Sequence, residues 1–518
     1  MVGALALGCG RLKPAAVMGT MPPAAPVRIL DGSALLMGNG TDACTHQTPP
    51  SGDGHRWCAF TIGPSAGGLA ALWVIDVSRA AAGNVPRCDG SDPGCLLLTD
   101  KVVTRTSTHF EGDTLIYSTD SVDPSADFVG RFSAWRPGWP AGRLVTSDRG
   151  FTCIGQTHSA AMACFDEPMG TPPWRDSAQV RVGMLDDPAG GPLPASGRFP
   201  LRSDSDPPTQ AGFSMDGSLF LLANPETIGA RPSLRMAPTT GAGQLPLVLD
   251  EVDNWKVSND GRKIYFLRNV DFGQRGDLYV ADFPSLANPT LIDSKIEYGY
   301  AILGERPTDL ALELIKDGEG SSSIELLADR STTTPKTIFT YDDMLEGAIV
   351  SPDLRYTTWL NDPFHGVVYR NRDLAPCSMN EGKTSVYNPA YLDGAALMFW
   401  NERHGSELEA VSRDGYFAAP ERCLEKQRFA EFVDMYTPVG DRGLVFTDEL
   451  DMSSHETLKY VAVNRDRTAL DPLGPVRVHE NVRPPVVLVG PSPPMLVYAA
   501  DGASGDTTGY YVFGPVPF

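Results

Sequence analysis

The residues best suited to chemistry in this chain are a small set of histidines near acidic and basic partners. His365 ends Asn361-Asp-Pro-Phe-His365, His404 ends Asn401-Glu-Arg-His404, and His455 ends Asp448-Glu-Leu-Asp-Met-Ser-Ser-His455. Imidazole, guanidinium and carboxylate together could bind a divalent metal or polarise a ligand. His365, Arg403, His404 and His455 are therefore candidate ligand-binding residues, with Asp362, Glu402, Asp448 and Glu449 beside them. The competing reading is that loop His and Asp side chains are ordinary solvated groups. A second acidic set, Asp120, Asp123 and Asp127, has the look of a calcium loop but lacks the Gly and closing Glu of an EF-hand. No cofactor is expected beyond a divalent metal such as calcium. No two of the eight histidines stand four residues apart, as a zincin helix requires. No residue is assigned a catalytic role.

The nine cysteines speak to compartment. Cys9 closes a short apolar N-terminus, Met1 to Gly10, that resembles a bacterial lipobox and marks Cys9 for lipidation. The other eight fall into neighbours along the chain: Cys44 with Cys58, Cys88 with Cys95, Cys153 with Cys164, and Cys377 with Cys423. Sequence alone allows about 105 pairings of eight cysteines. Still, Cys88-Asp-Gly-Ser-Asp-Pro-Gly-Cys95 is a turn-rich loop suited to a staple, and the Cys-x-x-Cys pairs that zinc favours do not occur. An oxidising compartment follows. The expectation is an exported protein, periplasmic or outer-membrane-associated, touching the membrane only through an N-terminal lipid.

These residues must be positioned by something, and the chain repeats one pattern. A turn carrying Asp-Gly leads into a short apolar strand, then a polar loop, then a second alternating strand. The clearest unit is Ser258-Asn-Asp-Gly-Arg-Lys-Ile-Tyr-Phe-Leu267 followed by Gly276-Asp-Leu-Tyr-Val-Ala-Asp282. Ile264 to Leu267 is apolar on both faces, as a strand between two other sheets must be. The turn aspartates set the period: Asp216 to Asp260 is 44 residues, Asp353 to Asp393 is 40, and Asp393 to Asp441 is 48. A repeat of about 40–50 residues with several strands is the propeller signature. Fifty-two glycines and 44 prolines spread along the chain supply its turns.

The fold class expected is therefore all-β, a β-propeller of four-stranded blades with eight to ten units, stapled by disulfides. Residues 1–27 form a signal and Pro/Ala-rich tether, and residues 28–518 form the propeller. Apolar strands at Arg28–Met37 and Tyr510–Phe518 suit closure of the ring within one shared blade. The turn aspartates are read as structural, bonding the backbone of their own turns. Trp135, Trp139 and Trp174, in Pro-rich stretches, could stack on a sugar or peptide. Packing between blades is the commoner use of such side chains.

Residues 258–282, and the opening Ser351-Pro-Asp353, resemble the PD40 branch of WD40-like propellers, the TolB-type family. That resemblance implies the fold and leaves the activity open. The hydrolase activity of the prolyl-oligopeptidase propellers is not expected, because repeat units run to the C-terminus and leave no room for an α/β domain.

A net charge of −21 on 518 residues repels phosphate backbones, so nucleic acid is not an expected partner. The function expected is a non-catalytic, envelope-associated interaction scaffold, a monomer that binds a protein or peptide. The alternatives are a carbohydrate-active, lyase-like enzyme with a metal or His/Arg site on the rim, and a ligand or metal sensor module.

Overall fold

The computed structural model describes the chain except residues 1–24, 32–33, 37–42, 46–54, 63–68, 104–107, 120–129, 148, 170–176, 201–209, 227–229, 242, 272–274, 298–299, 307–308, 316–321, 328–334, 342–347, 362–364, 381–383, 395, 404–412, 449–455, 490–493, 502–508 and 517–518. Its described residues are nearly all β, with short helical segments such as the α-helix Val77–Ala81 and the 3-10 helix Pro420–Glu425. Among the described residues no helix is long and apolar enough to cross a membrane.

Among the described residues the strands form ten antiparallel four-stranded units in chain order. Six are separate sheets, spanning residues 150–200, 211–249, 254–297, 301–341, 348–378 and 385–430, here units 3 to 8. Units 1 and 2 (34–103 and 109–144) join into one eight-stranded sheet through the single pair Val102 and Thr119. Units 9 and 10 share the long strand Val476–Val489, whose first part pairs with Glu456–Ala462 and whose second part pairs with Met495–Ala500. Unit 10 is completed by the N-terminal strand Val27–Asp31, which pairs with Gly509–Phe513.

Burial explains the unit. The second strands are enclosed on both faces: Ile264 to Leu267 of Lys263–Arg268 are buried, and so is all of Gly443–Asp448. The fourth strands, such as Thr290–Glu297 and Ala375–Ser378, are largely exposed. The core lies between units rather than within them. Unit 5 shares Tyr265, Leu267 and Leu278 with Leu310, Leu312 and Leu314 of unit 6. Unit 7 shares Tyr356 and Val368 with Met398 and Trp400 of unit 8. Every successive pair has such a cluster, and Val487, Val497 and Val512 of unit 10 pack on Phe60 and Ile75 of unit 1. The ring is closed. That closure packs the sheet of each unit against its two neighbours in the ring.

The Asp-Gly turns are built alike. Ser258 Oγ donates to Asp260 Oδ1 at 2.6 Å, Asp260 Oδ1 accepts from Arg262 N, and Ser258 Oγ accepts from Lys263 N. Ser214 with Asp216 and Ser351 with Asp353 repeat the arrangement. Gly217 and Gly261 take the left-handed backbone this turn requires, with φ of 70° and 67°. At the third turn Leu354 holds φ 54° and is compensated by burial of its side chain against Val350 and Ala311.

Four disulfides are formed: Cys44–Cys58, Cys88–Cys95, Cys153–Cys164 and Cys377–Cys423. The last is different in kind, because it ties the fourth strand of unit 7, Ala375–Ser378, to the 3-10 helix of unit 8. Trp135 is fully buried, edge-on to Trp57 at 5.3 Å, with its indole N–H donated to Trp139 O, so it packs between units 1 and 2. Trp174 lies outside the described residues.

Candidate functional site

In units 4, 5 and 6 the first strand is the end strand of its four-stranded sheet. Where the first strands of units 4, 5 and 6 converge they border a cleft of about 450 Å³ lined by Gln210, Trp255, Lys256, Asn259 and Glu305 among others. The wall is the strand Asn254–Val257 and its continuation to Asn259. Trp255 donates its backbone N–H to Gln210 Oε1 at 3.3 Å and its indole N–H to Gln210 O at 3.2 Å. Its ring lies over Gly212, where a Cβ would meet the indole at 3.0 Å. Lys256 Nζ donates to Tyr300 O at 3.0 Å and sits 5.2 Å from the centre of the Tyr300 ring. Burial pushes the Lys256 ammonium below its ordinary pKa. At the turn end, Asn259 N–H donates to Glu305 Oε2 at 2.6 Å. The cleft thus carries a cation toward one end, a carboxylate toward the other, and an aromatic ring between amides.

The second region is the opposite end of units 7 to 9, where second strands turn into third strands. His365 opens the third strand of unit 7, His365–Arg370, paired with Asn361, and Arg403 closes the second strand of unit 8, Met398–Arg403, between Ser385 and Arg413. The strand after each Asp-Gly turn is therefore the second of its unit and not the first, because a short strand precedes the turn. The connections 362–364, 404–412 and 449–455 are equivalent in three successive units. His404 and His455, with Asp362 and Glu449, lie outside the described residues. So do Asp120, Asp123 and Asp127 of the calcium-loop reading, and Cys9.

Glu402 and Asp448 do not stand on a rim. Both are buried strand residues with partners of their own. Glu402 accepts from the Trp400 indole at 2.9 Å and from Thr384 Oγ1 at 3.0 Å, and pairs with Lys426, whose ammonium lies 4.7 Å from the Tyr416 ring centre. Asp448 pairs with Lys459 at 2.8 Å. Buried carboxylates held this way support the sheet more than they serve a ligand. Glu456, which follows His455, is different. Burial pushes its carboxyl up to about 7, against a lowering bond from Thr447, with Asp434 and Asp448 adding repulsion. Among the described residues no group of three or more His, Cys, Asp or Glu is arranged to hold a metal ion.

Gly63-Pro-Ser65-Ala-Gly67 has the spacing of a nucleophile elbow, which requires a strand-to-helix turn. It lies outside the described residues, and it connects two antiparallel strands of unit 1, Trp57–Ile62 and Leu69–Asp76. His55 meets buried Asp76 at 2.5 Å, but that carboxylate also caps the helix Val77–Ala81.

No family model matches the chain, and no curated protein matches it. Solved structures do. A eukaryotic initiation factor is similar at 9% identity and TM-score 0.45, over 79% of this chain and 96% of its own. Porphyromonas gingivalis dipeptidyl peptidase 4 is similar at 10% identity and TM-score 0.37, over 76% of this chain and 64% of its own. An oligogalacturonate lyase from Vibrio parahaemolyticus is similar at 12% identity and TM-score 0.32, over 71% of this chain and 98% of its own.

Proposed function

We propose that this chain is an exported binding propeller that holds a protein or peptide partner in the cleft between units 4 and 6. The observation that carries the reading is the cleft itself, where Trp255, Lys256 and Glu305 offer ring, cation and carboxylate side by side. Such a mixture suits a polar polymer ligand better than a small apolar one. The four disulfides are compatible with export, and the lipobox-like Cys9 would tether the ring at the cell envelope. The Ser-x-Asp turns support kinship with TolB-type PD40 propellers. Purified full chain is to be mixed with envelope extract and the retained protein quantified. A stoichiometric partner kept by the wild type and lost with Trp255→Ala supports the reading. Equal retention by both contradicts it. Palmitate labelling that survives Cys9→Ser would remove the lipid tether from the account.

A second reading, lyase-like or metal-sensing, places the site at His365, Arg403, His404 and His455. It is favoured by the like position of these residues, between second and third strands of three successive units, and by burial that pushes the carboxyl of Glu456, next in sequence to His455, up to about 7. Bound metal in the purified protein that disappears in His404→Ala would establish it over the scaffold reading.

A further inference from the structure

The wall of the cleft is the end strand of its sheet, which narrows the kind of ligand it can take. Asn254–Val257 is the terminal strand of its sheet and, among the described residues, pairs with one strand, Lys263–Arg268. In an antiparallel pair, alternate residues direct their N–H and C=O groups to the same side. Ser258 N–H is given to Lys263 O, which sets Ser258, Lys256 and Asn254 toward that neighbour. Trp255 and Val257 therefore direct their backbone groups to the open edge. The Trp255 N–H confirms the parity by bonding a side chain, Gln210 Oε1, instead of a strand.

The side chains beside this edge are polarised along it. Lys256 reaches the Tyr300 carbonyl at the start of the first strand of unit 6, Ala301–Glu305. Glu305 closes that same strand and accepts from Asn259, beyond the end of the unit 5 strand. Positive and negative groups thus mark opposite ends of a backbone edge about 10 Å long, the rise of the three residue steps from Lys256 to Asn259.

We infer that the cleft takes an extended peptide segment of four to five residues, added as a strand to the free edge of Asn254–Val257, with an acidic group toward Lys256 and a basic group toward Glu305. Main-chain bonds supply the affinity in such strand addition and side-chain partners supply the choice of sequence. Gln210 Oε1 already stands where a ligand carbonyl would meet Trp255 N–H, so the ligand displaces it or pairs from Val257 onward. The inference rests on the reading of the cleft as a partner-binding site, and it adds the chemical class of the partner.

The test uses the immobilised full chain and a pool of capped pentapeptides randomised at every position, read by mass spectrometry of what is retained. The wild type should enrich peptides carrying one acidic and one basic residue near opposite ends. Lys256→Gln should erase the acidic preference and Glu305→Gln the basic one, each weakening a selected dipolar peptide about tenfold. Methylating one of the two alternating sets of peptide amide nitrogens should abolish binding, while methylating the other set leaves it within about twofold, because only one set faces the edge. Enrichment that ignores both substitutions, or equal loss from either methylated set, overturns strand addition while leaving the cleft a peptide site. No enrichment at all overturns both. Thermal unfolding of the two variants, unchanged from wild type, shows that a lost preference is not a lost fold.

Discussion

The two polar regions of this ring use the same kinds of residue to opposite ends. At the far ends of the second strands in units 8 and 9, Glu402 and Asp448 are buried and each is paired with a lysine, Glu402 also accepting from Trp400 and Thr384. In the cleft of units 4 to 6, Lys256 and Glu305 are half-exposed and each meets a backbone group, Lys256 the Tyr300 carbonyl and Glu305 the Asn259 N–H. A buried charge must be paired to be tolerated, so its chemistry is spent on the fold. A charge at an open edge keeps its capacity for a ligand.

If that contrast is right, damage to the first region should appear as lost stability and damage to the second as lost binding. The largest loss is expected from Trp400→Ala, which opens the seam between units 7 and 8 and strips Glu402 of a donor. It should cost about 4 kcal/mol, read as a fall in the thermal midpoint. Cys423→Ser comes next. The Cys377–Cys423 bridge closes a loop of 46 residues across two units, worth about 4 kcal/mol in the chain-entropy model before losses to residual structure. The shorter Cys88–Cys95 loop, separation 7, should cost less when opened by Cys88→Ser, by about 1 kcal/mol or more. A reversal of that order would show that the seam between units 7 and 8 is held by packing alone.

Glu456 sharpens the contrast through pH. Its folded-state pKa, about 7, is above the ordinary 4.5, so between those values the folded chain holds a proton that the unfolded chain releases. The sign follows: this group's stabilisation is complete below about pH 4.5, falls as pH rises toward 7, and is gone above it. Glu456→Gln should remove that slope from the pH dependence of the thermal midpoint. An unchanged slope would place the titration elsewhere. The smallest effect on stability belongs to Lys256→Gln, within about 1 kcal/mol, because the side chain is partly solvated and donates to a backbone carbonyl, that of Tyr300. That same change should still cut partner affinity.

Much of the ring was legible in the sequence because its signals are local. The Ser-x-Asp turns bond their own backbones, so Asp216, Asp260 and Asp353 announced themselves with the proper spacing. Neighbouring cysteines paired as their positions suggested. The first strands were missed because they are short and half-exposed: Ala211–Phe213 has three residues and no alternation of burial. That omission made the second strand look like the first. It also hid the cleft, since Gln210, Trp255 and Glu305 come from three different units, and nothing in their spacing links them. The signal available was positional, in the segment just before each Asp-Gly turn. Histidines and loop acids drew attention by residue type, yet Glu402 and Asp448 turned out to be strand residues with internal partners.

The central claim is that the partner occupies the cleft and not the hairpin ends of units 7 to 9. Photo-crosslinking tests it directly, with a photoreactive residue placed at Leu303, which lines the cleft, or at Arg403, at the end of its hairpin. The full chain carrying the probe at position 303 should yield a discrete adduct with a protein or peptide from envelope extract, suppressed by Lys256→Gln. Adducts formed from position 403 and absent from position 303 would contradict the account.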